Sequence, residues 1–245
     1  MSKRTRFWVV TIAAVVGMTV TAGLGLWQLD RAAQKETWVA SMQSQAQAAV
    51  LADSDWPRIN ENVQQAELAV HRRIRLTGTW LQDHVVFLDN RQMNAKPGFY
   101  VLTPLRLSSG DTVVVQRGWV QRNFLNRDQL PQLYTPTDEV TVFGRLAPPP
   151  SQLYSMGEVG RTQIRQNLNW ADFAEELGDS IGLLSLVQLD ESRLQADGLL
   201  REWPQVDAKL HTHYGYAAQW FALSALLALL YVWFQWIAPR RVKKN

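Results

Sequence analysis

Two histidines at the start of a long apolar segment are the residues best suited to chemistry in this chain. His211 and His213 precede an uncharged stretch near the C-terminus. If that stretch is helical, His213, Tyr216, Ala217 and Trp220 share one face, because residues three and four apart are neighbours on a helix. A neutral imidazole is a good iron ligand, and aromatic rings stack well on a macrocycle. The pattern indicates a site for a flat amphiphilic ligand, and it also fits ordinary aromatic anchors at a membrane surface.

Two cations follow a second apolar segment near the N-terminus. Arg31 and Lys35 lie one helical turn apart, just after the uncharged stretch from Phe7 to Leu29. In a membrane they would lie on the same outer side as His213, where they could pair with the anionic arms of such a ligand. Contact with lipid phosphate is the alternative interpretation.

Patterns typical of common enzymes are missing between these two segments. The histidines there are His71 and His84, the chain has no cysteine, and H-E-x-x-H, G-x-S-x-G and P-loop patterns do not occur. Asp53 and Asp55 are interpreted as solvated turn acids and His71 as a surface residue. Lack of cysteine excludes disulfides and thiolate chemistry. A membrane-tethered periplasmic enzyme is therefore a remote alternative, and we expect no catalytic residue.

The elements that must position His213 and the cations are two apolar helices. A bilayer core requires about 20 apolar residues in a helix, and both uncharged stretches are long enough. We predict transmembrane helices over 7–29 and 214–238, with a strand-rich periplasmic domain over 30–213. Residues 1–6 form a cytoplasmic N-terminus and 239–245 a basic cytoplasmic tail. A cleaved signal peptide is the alternative for the first helix, since small residues occur near Val20 and Ala22.

The positive charge is concentrated at the two ends of the chain. The net charge is +3, and the cations beyond the apolar segments account for it: Lys3, Arg4, Arg6, Arg240, Arg241, Lys243 and Lys244. Basic flanks are typical of cytoplasmic ends, so we predict a multi-pass protein of the cell inner membrane with both termini in the cytoplasm. This distribution favours membrane lipid as a partner and excludes nucleic acid.

A stripe of small residues in the first apolar segment predicts close packing of the two helices. Its members fall four apart, namely Ala13, Gly17, Thr21 and Gly25. Small residues let helix backbones approach each other in membranes. The expected partner face in the second helix is Ala218, Ala222 and Ala225. Chance is the alternative, because small residues are common in membrane helices.

Short strands with one small helix are predicted between the two apolar helices. The helix leaving the membrane should run from Asp30 to Leu51 and break at Asp53 to Pro57. Strands are predicted at 72–80, 85–88, 99–107, 112–115, 140–146 and 181–189, with a hairpin turn at Ser108–Asp111. Asp89–Asn90–Arg91 is either a turn or a polar site, and Asn169 should cap a helix that ends at Gly178. The fold class is a membrane protein with an α+β domain containing an antiparallel sheet or a small β-barrel.

The motifs and their order resemble the surfeit locus protein 1 family, also called the Shy-type family. The first landmark is Gly25-Leu26-Trp27-Gln28-Leu29-Asp30-Arg31 followed by Lys35, which is similar to the family's G-x-W-Q-x-x-R-x-x-x-K. The landmarks of the central region are Arg72, Gly78 and Trp80, then Asn90-Arg91, then Gly98 to Val101 with Thr103 to Leu105. Arg117-Gly118-Trp119-Val120 resembles N-R-G-W-V, although Gln116 stands where that pattern has Asn. His213 to Phe221 resembles H-x-x-Y-A-x-x-W-F.

This resemblance implies a factor for assembly of haem–copper cytochrome c oxidase. It implies haem A as a transiently bound cofactor, with the catalytic subunit of the oxidase and other assembly factors as partners. By the same resemblance His213 would be the ligand of the haem iron. Arg31 and Lys35 belong to the matching first landmark, which does not itself imply contact with the haem carboxylates. Tyr216 and Trp220 are expected near the haem from their helical spacing to His213. A scaffold that stabilises an oxidase intermediate without binding haem is the alternative. The departure at Gln116 argues against a polar role at that position.

Overall fold

The protein consists of two compact units. The computed structural model describes residues 2–123, 125, 129–154, 162–190, 197–204 and 210–242. One unit is Met1–Ser41 with Val206–Asn245, and the other is Met42–Gln205. Lys243 and Lys244 of the predicted basic tail lie outside the described residues.

The first unit is built from two long helices. Helix α1 covers Lys3–Gln47 and helix α5 covers Leu210–Val232. A π-helical turn at Trp233–Ile237 and helix α6 (Ala238–Val242) continue α5. The predicted helix from Asp30 to Leu51 is thus a continuation of α1 that ends four residues early.

Two helices in the described residues are long and apolar enough to cross a membrane, Arg4–Gln47 and Leu210–Arg240. Only 11% of the apolar window of the first and 0% of that of the second is buried. The core helix of a soluble protein would be mostly buried, so these helices do not have that role. A signal sequence passes the same test of length and composition as the first of them.

The two helices pack antiparallel through small and polar side chains. The hydroxyls of Thr11 and Tyr231 lie 3.0 Å apart, and the Ser224 hydroxyl donates to the Met18 carbonyl at 3.1 Å. Thr21 and Gly25 of α1 are buried. A Cβ atom added at Gly25 would lie 2.7 Å from the ring of Phe221. A side chain at position 25 would therefore require the Phe221 ring to move.

The partner face predicted in the second helix is wrong, and so is one member of the stripe in the first. Ala218, Ala222 and Ala225 are exposed, as is Ala13. The side chains of α5 that are least exposed recur every three or four residues and include His213, Ala217, Trp220 and Ser224. That spacing is typical of an antiparallel helix pair, and it places a different face of α5 against α1.

The second unit is a seven-stranded sheet with helices packed beside it. The strands are β1 (Arg73–Trp80), β2 (Val86–Met93), β3 (Lys96–Leu107), β4 (Thr112–Gln121), β5 (Val140–Ala147), β6 (Ile164–Arg165) and β7 (Ser185–Gln188). Their order is β1-β5-β7-β4-β3-β2-β6, with a further short pairing of β1 with β3. The predicted hairpin is confirmed, since β3 and β4 pair antiparallel around the turn and Gly110 has φ +92°.

The sheet is mixed, so the predictions of an antiparallel sheet and of a barrel are wrong. Strand β6 is parallel to β2, and β7 is parallel to β4. Parallel neighbours need a long crossover connection, and the chain reaches β7 only after β5, β6 and the next helix. Strand β6 lies at an edge, and β1 meets β3 only from Gly78 to Trp80. The strands therefore form no barrel.

Three helices accompany the sheet. Helix α4 (Trp170–Leu177) is the one predicted, with the Asn169 side chain accepting from the first turn and Gly178 in the left-handed conformation. Helices α2 (Trp56–Ile59) and α3 (Val63–Ala69) occupy a region where only a break was predicted. They were missed because each is shorter than the window that helical periodicity requires.

Asp89–Asn90–Arg91, for which a turn was one of two interpretations, lies within strand β2. The pairing of β2 with β3 shifts between Leu88 and Arg91, and Asn90 has φ +58°. An extra residue accommodated in a strand is a β-bulge. It turns the Arg91 side chain into the protein, where only 6% of it is exposed.

Both faces of the central strands are covered. On one face, Val86, Leu88, Leu102 and Val114 pack against Phe173 of α4. On the other, Phe87, Phe99 and Val101 pack with Leu199. A third cluster joins β1 and β5 to α2 and α3 around Trp56, Ile74 and Leu76. Strands buried on both faces hold their side chains rigidly.

The close approach at Gly25 predicts that a side chain there separates α1 from α5. Because the chain has no native cysteine, the pair Met18→Cys and Ser224→Cys gives a unique cross-link between the helices. Gly25→Ile should lower the yield of that cross-link severalfold, since even a Cβ would collide with Phe221. The yield is read by gel electrophoresis of the full-length protein in membranes.

Gly23→Ile is the matched control for this substitution. A Cβ at Gly23 meets nothing within 4 Å, so the cross-link should form as in the parent protein. An equal loss of cross-linking in both variants would contradict the packing at Gly25.

Candidate functional site

His213 contacts a glutamine from the other long helix. Its Nδ1 atom lies 2.8 Å from Oε1 of Gln28. Both side chains are half-buried. The two residues are far apart in the sequence, and each belongs to one of the two terminal landmarks. The antiparallel pairing of α1 and α5 is what brings the landmarks together.

A second hydrogen bond connects the helices next to this one. The Tyr214 hydroxyl donates to Oε1 of Glu36 at 2.8 Å, and both side chains are exposed. Two adjacent residues of α5 are therefore each bonded to α1. Together these bonds restrict rotation of α5 about its own axis.

Three of the other four predicted site residues are exposed, and the fourth, Trp220, is half-buried. Tyr216 is 49% exposed and Trp220 is half-buried. Arg31 and Lys35 are exposed. The contacts of Arg31 lie on its own helix, with its guanidinium 5.7 Å from the ring centroid of Trp27 and its Nη1 donating to Gln34 at 3.0 Å.

These positions suit a shallow site rather than an enclosed one. The region offers one imidazole, one exposed and one half-buried aromatic ring, and two exposed cations. Within the part of the chain that the structure describes, no group of three or more His, Cys, Asp or Glu side chains could hold a metal ion. The assignment of these five residues to a haem site stays a prediction.

The landmark Arg117 of the sheet unit is buried in a network of polar contacts. Only 2% of Arg117 is exposed. Its guanidinium lies 4.8 Å from the ring centroid of Trp80, donates to Thr135 Oγ1 at 2.6 Å and to the Tyr134 carbonyl at 2.9 Å, and lies 3.7 Å from Asp197. Burial lowers the pKa of Arg117 to about 10, while Asp197 opposes that shift. The guanidinium remains charged at neutral pH.

A second buried arginine completes this network. Arg201 forms ion pairs with Asp197 and, at 3.0 Å, with Asp190. Together Arg117 and Arg201 attach residues 197–201 to strand β4. A buried charge is stabilised only when it is paired and hydrogen-bonded. The guanidinium of Arg201 meets both conditions.

The tryptophan and glycine landmarks serve close packing. The Trp119 indole donates to the Arg91 carbonyl at 2.9 Å. A Cβ at Gly98 would lie 2.5 Å from the Trp119 ring, and a Cβ at Gly118 would lie 2.7 Å from Leu199. These landmarks therefore hold neighbouring segments together.

Gln116 has a polar role after all, although the departure from the pattern argued against one. Its side chain is buried and donates to the Ser185 hydroxyl at 2.8 Å. That hydroxyl donates in turn to the Pro148 carbonyl at 2.9 Å. The bond joins β4 to β7 from within the unit.

Two cavities of the sheet unit are lined by residues other than histidine. One of about 190 Å³ is lined by Arg117, Asp197 and seven further residues: Trp80, Tyr134, Pro136, Val140, Thr141, Val142 and Gln188. A wider one, about 620 Å³, has polar glutamine, asparagine and arginine side chains along with Leu125, Leu130 and Pro131. Neither lining includes a histidine among the described residues.

Comparison with known proteins identifies the family. A sequence model of the SURF1 family matches residues 15–225. The match includes both terminal landmarks and the whole sheet unit. The chain belongs to the SURF1 family, and the resemblance seen in its landmarks is confirmed.

Relatives from bacteria and yeast match much of the chain. It is 22% identical over 223 residues to a SURF1-like protein of Rickettsia bellii, covering 90% of this chain and 88% of that protein. It is 25% identical over 234 residues to a SURF1-like protein of Rickettsia felis, covering 90% and 94%. A match to the cytochrome oxidase assembly protein SHY1 of Saccharomyces cerevisiae is 27% identical over 138 residues, or 54% of this chain and 34% of the yeast protein.

The network around Arg117 predicts a large loss of stability when it is broken. Arg117→Leu should lower the free energy of unfolding by about 3 kcal/mol, because it leaves Asp197 in the interior with one partner fewer. Urea unfolding of the full-length protein in detergent, followed by circular dichroism, measures the change.

Arg58→Leu is the control, since the Arg58 side chain is 67% exposed and lies 3.7 Å from Asp55. An exposed ion pair of this kind contributes about 0–1 kcal/mol. If Arg117→Leu cost no more than Arg58→Leu, the buried network would not be a stabilising element.

Proposed function

We propose that this protein is an inner-membrane assembly factor for haem–copper cytochrome c oxidase that holds haem A and aids its insertion into the catalytic subunit. Membership of the SURF1 family is the observation that carries this proposal, since one relative in yeast is a cytochrome oxidase assembly protein. In this proposal haem A binds at the paired helices of the first unit, and His213 is the ligand of its iron.

Exposed apolar side chains support insertion of both helices into the membrane. Large hydrophobic residues cover the outer faces of α1, α5 and the π-helical turn that continues α5, including Val16, Val20, Leu226, Leu229 and Phe234. Soluble proteins rarely expose apolar patches of this size. At 1.5 Å per residue, the 23 residues of α5 span about 35 Å, enough for a bilayer core of about 30 Å.

Charge supports the orientation of the two helices. Arg4 and Arg6 precede the apolar part of α1, and Arg240 and Arg241 follow that of α5. By the positive-inside rule both termini face the cytoplasm, and the sheet unit faces the periplasm. In this arrangement His213 lies at the periplasmic end of its helix, where an amphiphilic ligand can enter from the lipid interface.

The residues near His213 provide complementary interactions for haem A. That group brings an iron-centred, flat apolar ring with anionic arms. His213 offers an imidazole nitrogen to the iron. The rings of Tyr216 and Trp220 can cover an apolar face, and the exposed cations Arg31 and Lys35 can pair with carboxylates.

Transfer requires that the carrier bind more weakly than the recipient. A ligand moves to the state that binds it better, and the shift is set by the difference in affinity. One imidazole in a shallow, partly exposed site gives moderate affinity. The oxidase subunit can then take the cargo without an energy source.

A scaffold that binds no haem is the second candidate, and one observation favours it. The landmark residues Arg117, Gly118 and Trp119 are all used in packing within the sheet unit. A rigid unit held in this way can act through its surface alone. The two functions differ in whether His213 is needed.

The proposal predicts that His213→Ala removes haem from the protein and lowers haem insertion into the oxidase. Substitution of a residue that is hydrogen-bonded to a metal ligand typically reduces the affinity for the metal by roughly 10-fold or more. Loss of the ligand itself should reduce the affinity for haem further. The measurements are the absorption spectrum of the protein purified from cells that make haem A, and the haem A content of the oxidase in a strain whose only copy carries the variant.

His211→Ala is the matched control, because His211 is exposed and lies two residues away. It should retain pigment and oxidase content. A variant lacking pigment but supporting a fully haem-loaded oxidase would favour the scaffold. A strain with the gene deleted, no second copy and normal oxidase would contradict both candidates.

A further inference from the structure

We infer that Gln28 is a positioning residue that fixes the tautomer and ring orientation of His213, so that Nε2 is the nitrogen available to iron. This inference rests on the proposed function. Gln28 would not touch the bound group, and it would act only through the histidine.

The first observation is the hydrogen bond itself. Nδ1 of His213 lies 2.8 Å from Oε1 of Gln28, a normal length for a hydrogen bond. With the Gln28 amide in this orientation its oxygen faces the ring and can only accept, which assigns the proton to Nδ1. A neutral imidazole carries one N–H, which leaves the lone pair on Nε2.

The second observation is the close packing of the helices around this bond. Gly25 and Ala32, about one turn before and after Gln28, are buried, as is Ala217, one turn after His213. Residues three and four apart share a helix face, so these small side chains lie on the face that carries the hydrogen bond. Close helices leave the glutamine little freedom to withdraw.

The charged groups nearby do not replace this contact. Glu36 accepts from Tyr214, and Arg31 donates to Gln34. Asp30 accepts from Gln34 at 2.7 Å. Lys35 is exposed, as are Arg31 and Glu36. The partner of the imidazole is therefore a neutral amide.

A neutral partner has a consequence for transfer. A ligating histidine usually donates its other N–H to an oxygen, and a carboxylate there raises the basicity of the ligand. An amide orients the ring as well but adds less basicity. Gln28 therefore makes His213 a correctly oriented but moderate ligand, which suits a carrier that must release its cargo.

The tautomer is measured by ¹⁵N NMR of the full-length protein in detergent with labelled histidine. The chain has four histidines, and the His213 signals are those lost in His213→Ala. The wild type should show a protonated Nδ1 and a bare Nε2. Gln28→Leu should shift the tautomer population toward Nε2–H. Gln28→Glu should restore the Nδ1–H tautomer, because a carboxylate also accepts a hydrogen bond from Nδ1.

Binding is measured separately by titrating hemin, the iron complex of protoporphyrin IX, into the same preparations. Gln28→Leu should weaken the affinity by about 10-fold or more. Gln28→Glu should retain binding and lower the midpoint potential of the bound iron relative to the wild type, since a more basic ligand favours the oxidised state.

Gln34→Ala is the matched control, as an exposed glutamine on the same helix whose bonds are with Asp30 and Arg31. It should leave both the tautomer and hemin binding unchanged. Protonated Nε2 in the wild type, or an unaltered tautomer in Gln28→Leu, would overturn the inference. If the wild type bound no hemin, the carrier function would fail, while the NMR result would still decide the role of Gln28 on the histidine.

Discussion

The antiparallel pairing of α1 with α5 is the constraint on which the account of this protein depends. The pairing is possible because Gly25 leaves room for Phe221 and because Thr21 and Ala217 are small enough to be buried. It joins landmarks from opposite ends of the chain, so that His213 meets Gln28. Without it the proposed role of Gln28 on the imidazole, and the proposed ligand site, would have no structural basis.

Much of the fold followed from patterns of short range. The hairpin between β3 and β4 and the capped helix α4 were predictable because turn and cap residues act within a few positions. The sheet order was not, since the parallel pairings of β6 and β7 join strands that are distant in the sequence. A turn was one interpretation of the bulge at Asn90, because both features use a residue at positive φ.

In the candidate site, too, the contacts within one helix were predictable and the contacts between helices were not. Helical spacing alone grouped His213 with Tyr216 and Trp220, and the family resemblance singled out His213 as a ligand. Gln28 stood within a landmark but had no assigned role, because its contact crosses between helices. The stripe on α1 was largely correct, yet its partner face on α5 was wrong: Ala217 is buried and Ala218 is exposed. A shift of one residue rotates the packing face of α5 by about 100° about the helix axis. The distribution of small residues in the sequence does not distinguish these two faces.

The proposed function requires the sheet unit on the periplasmic side and both termini in the cytoplasm, and labelling of single cysteines measures this orientation. Single cysteines can report it, since none is native. Ser109→Cys lies in the exposed turn between β3 and β4, and Ser2→Cys lies near the N-terminus. With a membrane-impermeant maleimide on spheroplasts, the account predicts labelling at position 109 at once and at position 2 only after the membrane is permeabilised. Labelling of position 2 but not 109 in sealed spheroplasts would place the sheet unit in the cytoplasm and contradict the account.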